Sequence, residues 1–176
     1  MRIISGKHKS RKISAPTNLP VRPTTDRAKE ALFNIVQNRY NLKKIKFLDL
    51  FAGTGNISFE MASRGCKDIT AIDVNYKCTS FIKQTSSLLE FNINVIKSEC
   101  LQAINKIEEK YDFIFADPPY NYTLYRELKD GIFSNKILNE NGCLIIEHDR
   151  NTKFQEKEIV LEERKYGTVH FSIFTH

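Results

Sequence analysis

The sequence predicts an α/β fold built on a mostly parallel sheet, and three observations carry that expectation. Between residues 45 and 148, five short apolar runs alternate with four helical stretches. Parallel strands need crossover connections, usually helices, and the covering helices bury both sheet faces. The first run closes in a glycine loop, Gly53-Thr54-Gly55, where such sheets turn from strand to helix. The chain has 176 residues, 41% hydrophobic and 27% charged, which suits a single folded unit with at most a small appendage.

The elements follow in order. Residues 2–5 and 11–14 read as a hairpin with basic residues at its tip. Pro16, Pro20 and Pro23 make a stiff, extended connector. Thr24 is then a helix N-cap, and Ala28, Ala31, Leu32, Ile35 and Val36 form the buried stripe of the helix behind it. Strands are expected at 45–51, 68–73, 93–98, 111–116 and 143–148, and helices at 56–64, 75–90, 99–107 and 121–134. Gly65 suits the end of the first of these helices, and Asn141-Gly142 is a turn before the fifth strand. Residues 157–164 and 168–175 flank Tyr166-Gly167 without a helix between them, an antiparallel hairpin. The expected organisation is a basic arm and connector over 1–23, followed by the α/β domain over 24–176.

Composition narrows the function. The longest apolar runs have four residues, too short for a membrane-spanning helix, which needs about 20. The N-terminus has no signal-peptide apolar core, so a cytoplasmic protein is expected. Cys66, Cys78, Cys100 and Cys143 have no C-x-x-C spacing, which points to reduced, buried thiols and to no metal. Residues 1–25 carry six basic groups and no acidic one, while the rest of the chain balances, so the net charge of +6 lies in this segment. Such a block suits a polyanion, most simply nucleic acid; a solvated arm without a ligand is the alternative on charge alone. Its candidate contacts are Arg2, Lys7, His8, Lys9, Arg11, Lys12, Arg22, Thr25 and Arg27.

The glycine loop lies in Asp49-Leu50-Phe51-Ala52-Gly53-Thr54-Gly55-Asn56. Ser58 stands where a dinucleotide fingerprint has its third glycine, and no Lys-Ser/Thr follows to make a phosphate loop. Asp49 puts a carboxylate where a pyrophosphate would sit, which suits a cationic or amino-bearing ligand. Asp73 ends the second strand, where a carboxylate can hold a ribose diol. An adenosine with an amino-acid and sulfonium appendage, S-adenosylmethionine, satisfies all of these features.

Asp117-Pro118-Pro119-Tyr120 follows the fourth strand. The prolines stiffen the segment and bring no N–H donors. What remains are acceptors, the Asp117 carboxylate and nearby carbonyls such as that of Pro118, beside the aromatic face of Tyr120. That set suits an exocyclic amine on a nucleobase, held by its two N–H groups while the base stacks, a contact worth about 1–3 kcal/mol. A plain Pro-Pro loop closing a strand is the competing reading.

These motifs, in this order, resemble those of class I methyltransferases acting on exocyclic amines. Met1-Arg-Ile-Ile-Ser-Gly-Lys7 and Arg22-Pro-Thr-Thr-Asp-Arg-Ala-Lys-Glu-Ala-Leu-Phe-Asn34 are more specific, and resemble the RsmD family of 16S ribosomal RNA guanine-N2 methyltransferases over nearly the whole chain. The resemblance implies a Rossmann-like seven-stranded sheet of order 3-2-1-4-5-7-6 with strand seven antiparallel. It implies that Asp49, Phe51, Gly53 and Gly55 hold the methionine end of the cofactor, Asp73 the ribose, and Val74 the adenine. Glu99-Cys100 stands where the family has Asp and a small residue against the adenine amine. Thr24-Thr25-Asp26-Arg27 would help close the pocket. The implied reaction turns S-adenosylmethionine into S-adenosylhomocysteine without metal, on 16S ribosomal RNA or the small subunit, and a monomer is expected.

Two other functions fit the residues less well. Asp-Pro-Pro-Tyr also serves adenine-N6 methylation, but little chain remains for a domain that reads DNA sequence. An inactive RNA-binding assembly module would not need the full set of charged and aromatic site residues.

Overall fold

The computed structural model describes residues 1–16, 19, 24–154 and 162–175. Arg22, Pro20, Pro23 and residues 157–161 of the expected closing hairpin lie outside them. The sheet comprises β1 (Lys46–Leu50), β2 (Asp68–Asp73), β3 (Asn94–Lys97), β4 (Tyr111–Ala116), β5 (Leu138–His148), β6 (Glu162–Tyr166) and β7 (Val169–Thr175), in the order β3-β2-β1-β4-β5-β7-β6. The first five strands run parallel; β7 is antiparallel to both β5 and β6. This is the topology that the resemblance implied.

Alternation along each strand divides the core. Phe47 and Phe113 point to one face, where they meet Leu32, Phe33 and Val36 of α1 (Asp26–Arg39) and Ile57 and Met61 of α2 (Asn56–Ser63). Leu48, Leu50 and Ile114 point to the other face, against Cys100, Ala103 and Ile104 of α4 (Cys100–Ile104) and Leu128 and Ile132 of α5 (Tyr125–Ser134). Successive strand residues must face opposite sides, so strands covered on both faces are apolar throughout. α3 (Tyr76–Leu88) packs Ile82 against Phe59 in a third cluster. All four cysteines are buried free thiols, as expected.

The structure corrects several boundaries. Thr25, not Thr24, caps α1, its Oγ accepting the Ala28 N–H at 3.3 Å. α4 stops at Ile104 instead of residue 107. α5 starts at Tyr125 rather than 121, because the loop after Pro119 is held by a Tyr122 N–H to Pro119 carbonyl bond before the helix begins. β5 begins at Leu138, five residues early, and Asn141-Gly142 lies inside it. There Tyr111 pairs with Leu138 while Phe113 pairs with Cys143, so the pair of strands carries a bulge. The closing turn is Gly167-Thr168, one residue later than expected.

The N-terminal hairpin forms, with one bridge (Arg2 to Lys12) and backbone bonds from Ile3 N to Arg11 O and from Ile13 N to Met1 O. It does not stand off as an arm. Ile3 and Ile13 pack with Phe59, Ala71 and Ile82. Gly6, at φ +84°, lies so close to α2 that a Cβ there would fall 1.8 Å from the Ser63 carbonyl oxygen.

Candidate active site

The sheet order reverses between β1 and β4, and ligands of open α/β sheets bind in the crevice beyond the strand ends at such a point. Acidic residues of four adjacent strands come together there: Asp73 at the end of β2, Asp49 in β1, Asp117 just past β4, and Glu147 near the end of β5.

On the β1–β2 side, the loop is built from left-handed backbone. Phe51, Gly53 and Gly55 have φ of 62°, 56° and 74°. Only glycine takes this conformation without cost, so Phe51 marks a locally strained turn. A Cβ on Gly55 would press on Ile82 and the Phe59 ring at 2.9–3.1 Å, so the loop sits tightly on α2 and α3. Asp73 clamps it: Oδ2 accepts the Gly53 N–H at 2.7 Å and Oδ1 the Asn75 N–H at 2.7 Å. Each oxygen keeps a further lone pair for a hydroxyl. Val74 and Tyr76 beside it are 63% and 68% exposed, an apolar surface next to the carboxylate.

Asp49 is placed differently from the expectation. It is buried beneath the loop, and its Oδ2 accepts both the backbone N–H and the hydroxyl of Ser58. It therefore ties the first turn of α2 to β1. Burial pushes its carboxyl up to about 7 against those two donors, with Asp117 and Asp73 adding repulsion. Glu99 caps α4, its Oε2 accepting the Gln102 N–H at 2.9 Å, and Cys100 next to it is buried.

On the β4–β5 side, Pro118 is buried, while Pro119 and Tyr120 are exposed, Tyr120 at 81% with its ring open for stacking. Burial pushes the Asp117 carboxyl up to about 7, while the nearby Thr24 hydroxyl pulls it down. Thr24 is itself held: its carbonyl accepts Asn56 Nδ2 at 3.1 Å, and Asn56 follows Gly55 directly. Asn56 Oδ1 accepts from Lys29 Nζ at 2.9 Å. A hydrogen-bonded chain thus runs from Lys29 through Asn56, next to the glycine loop, to the Thr24 carbonyl, and Thr24 lies near Asp117. Phe51 meets Tyr122 edge to face at 5.1 Å, a second link between the two sides. Sequence reasoning missed Asn56 and Glu147. Their signals were a side-chain amide directly after the last loop glycine and a carboxylate ending the apolar run Cys143–Ile146.

Of the expected RNA contacts, Lys9, Arg11, Lys12 and Arg27 are exposed without an ion pair to a described residue. Arg2 pairs with Asp26 at 2.8 Å and Lys7 with Glu90 at 3.2 Å, both at the surface. His8 stacks edge to face on Phe91, and the Thr25 hydroxyl is used in its cap. Among the described residues no His, Cys, Asp and Glu group could hold a metal, and no helix is long and apolar enough to cross a membrane.

A row of carboxylates without a lysine or arginine in the glycine loop repels phosphate and favours a cation. A strand-end carboxylate beside exposed apolar side chains suits a ribose and its base. With this sheet order, these preferences make the protein one of the class I methyltransferases that use S-adenosylmethionine.

The family described as Conserved hypothetical protein 95 matches residues 1–175, and the chain belongs to it. It is 31% identical to ribosomal RNA small subunit methyltransferase D of Buchnera aphidicola (subsp. Baizongia pistaciae), over 99% of this chain and 91% of that one. It is 29% identical to ribosomal RNA small subunit methyltransferase D of Escherichia coli K12, over 85% of this chain and 75% of that one. The solved structure of a hypothetical protein of Thermus thermophilus superposes with a TM-score of 0.84 at 22% identity, covering 100% of this chain and 99% of that one.

Proposed function

We propose that the protein methylates the exocyclic N2 amine of a guanine in small-subunit ribosomal RNA, in the cytoplasm, leaving S-adenosylhomocysteine. The observation that carries this reading is Asp117: an acceptor just past the end of β4, across the switch point from the Asp73 clamp. Relatives named for small-subunit ribosomal RNA support the RNA substrate. The choice of guanine over adenine rests on the RsmD resemblance, because the acceptors around Asp117 fit either amine.

S-adenosylmethionine supplies an electrophilic sulfonium methyl, whose C–S bond breaks as the amine lone pair forms the N–C bond. Asp73 would hold the ribose hydroxyls and keep the glycine loop in place. Asp117 and the Pro118 carbonyl would hold the two amine N–H groups, making the lone pair more available. Ionised Asp117 then takes the proton that the methylated amine must lose. Tyr120 stacks on the base, which must be looped out or extruded to reach a pocket at the strand ends. Alignment of the two sites supplies much of the rate, and the Asn56 bond to the Thr24 carbonyl ties the segment before α1 to the glycine loop.

Mass spectrometry of nucleosides from ribosomal RNA, with and without the gene, tests the reading. Loss of N2-methylguanine at one small-subunit position is expected. Loss of N6-methyladenine instead would overturn it.

A further inference from the structure

Ala116 pairs with Ile146 in the parallel register of β4 and β5, so Asp117 and Glu147 are the next residues in line past that pair. Their side chains leave neighbouring strands side by side at the target end of the crevice. Nothing in the reaction described so far uses Glu147. Its Oε2 is buried and has no hydrogen-bond partner among the described residues. A buried polar atom without a partner is costly, and such an atom beside a binding group points to a ligand that completes it.

We infer that Glu147 is the residue that selects guanine: its unpartnered carboxylate oxygen accepts the N1–H of the base whose N2 amine is held by Asp117. The inference rests on the guanine reading and deepens it. The chemistry follows from the two bases. In guanine the exocyclic amine is flanked on one side by N1–H, a donor. In adenine the N6 amine is flanked by N1 and N7, both acceptors. Two adjacent ionised carboxylates match an amine next to a ring N–H, and one of them meets a lone pair when the base is adenine, so the selection operates where Glu147 is ionised. Rejecting a base that leaves a buried polar group unpaired is the stronger kind of discrimination. Without ligand, burial and the charge of Asp117 push the Glu147 carboxyl up to about 9. Donors from the base favour its ionised form and offset that repulsion.

2-Aminopurine probes the contact, because it keeps the amine and lacks N1–H together with O6, and the change in preference between wild type and Glu147→Gln assigns the N1–H part. The test uses small ribosomal subunits reconstituted with ligated 16S RNA that carries guanine or 2-aminopurine at the methylated position, with labelled S-adenosylmethionine. Wild-type enzyme should prefer guanine by about tenfold or more, the range expected for a hydrogen bond to a charged group. Glu147→Gln offers both an acceptor and a donor, so it should bring the two rates close together while cofactor affinity stays unchanged. An equal guanine preference in wild type and Glu147→Gln overturns the role of Glu147 and leaves the guanine reading intact. If the variant does not fold, wild type alone decides: equal rates on the two bases overturn the inference. No transfer to guanine subunits by wild type overturns the guanine reading, and this inference with it.

Discussion

The carboxylate of Asp73 holds the backbone N–H of Gly53 at 2.7 Å, so one side chain at the end of β2 both shapes the glycine loop after β1 and faces the crevice. Asp73→Ala removes the clamp and the ribose acceptors together. S-adenosylmethionine affinity should fall about tenfold or more, from lost bonds to a charged group worth about 1.5–3 kcal/mol. Asp73→Asn keeps one acceptor and should lose less. Calorimetry on the folded variants checks both; unchanged affinity in Asp73→Ala removes this residue from the cofactor site.

Asp117 predicts the pH dependence. Its carboxyl is raised to about 7 by burial, and the ionised form is the one that accepts N–H groups and the amine proton. Below that value the group is protonated, so kcat/KM for RNA at saturating cofactor should fall as pH drops below about 7; Glu147, raised to about 9, must also ionise to accept N1–H, so the rate should go on rising above neutrality. The Thr24 hydroxyl lowers this value. Thr24→Val should therefore move the acid limb to higher pH, with cofactor affinity unchanged. A profile flat from pH 6 to 8 in wild type would show that Asp117 does not titrate in the reaction.

The legible parts of this protein are local ones. The strands can be read because β1 and β4 are covered on both faces and so are apolar throughout, and the loop because Gly53 and Gly55 must take positive φ. Helix starts are harder. Thr24 and Thr25 are chemically equivalent as caps, and the bond from Asn56 to the Thr24 carbonyl, which the local sequence does not show, is what sets Thr24 apart. Asp49 reads as a ligand contact because it stands just before the glycine loop, where a pyrophosphate would sit. The pleat instead turns its side chain under α2, where Ser58 supplies two donors. Glu147 escapes a sequence reading because its place beside Asp117 is set by the register of β4 and β5 beyond a bulge, and a carboxylate ending an apolar run does not by itself encode that register.

The N-terminal segment is anchored by charge as well as by apolar contacts. Glu60 is fully buried, and its carboxylate accepts the Ile4 and Ser5 N–H groups at 2.8 and 3.0 Å and Arg64 Nε at 2.8 Å, with Lys29 Nζ at 3.3 Å. Burial lowers the Lys29 ammonium from its ordinary value, against the pull of Glu60. Removing one partner strands the other in the interior, a loss of about 3–5 kcal/mol. Urea unfolding of Glu60→Ala should show a loss of this size. A loss below about 1 kcal/mol would mean that water replaces the missing carboxylate.

The same anchoring changes how RNA binding by this segment has to be tested. Deleting residues 1–15 would uncover Phe59 and Ile82, so weak RNA binding after the deletion would report unfolding as readily as lost contacts. Charge removal on the outer side avoids this. Lys9, Arg11 and Lys12 are exposed, and no described acidic residue pairs with them. Replacing all three with Gln should leave thermal stability within the small range of surface substitutions, about 0.5 kcal/mol. Each phosphate contact with single-stranded RNA contributes about 0.7 to the slope of log affinity against log salt, so the triple variant should lower that slope by about 2. Cofactor affinity should not change, since the three side chains lie on the hairpin and not on the glycine loop. An unchanged affinity for the small ribosomal subunit, with an unchanged salt slope, would make the hairpin a structural cover over α2 and α3 and move the RNA contact elsewhere on the protein.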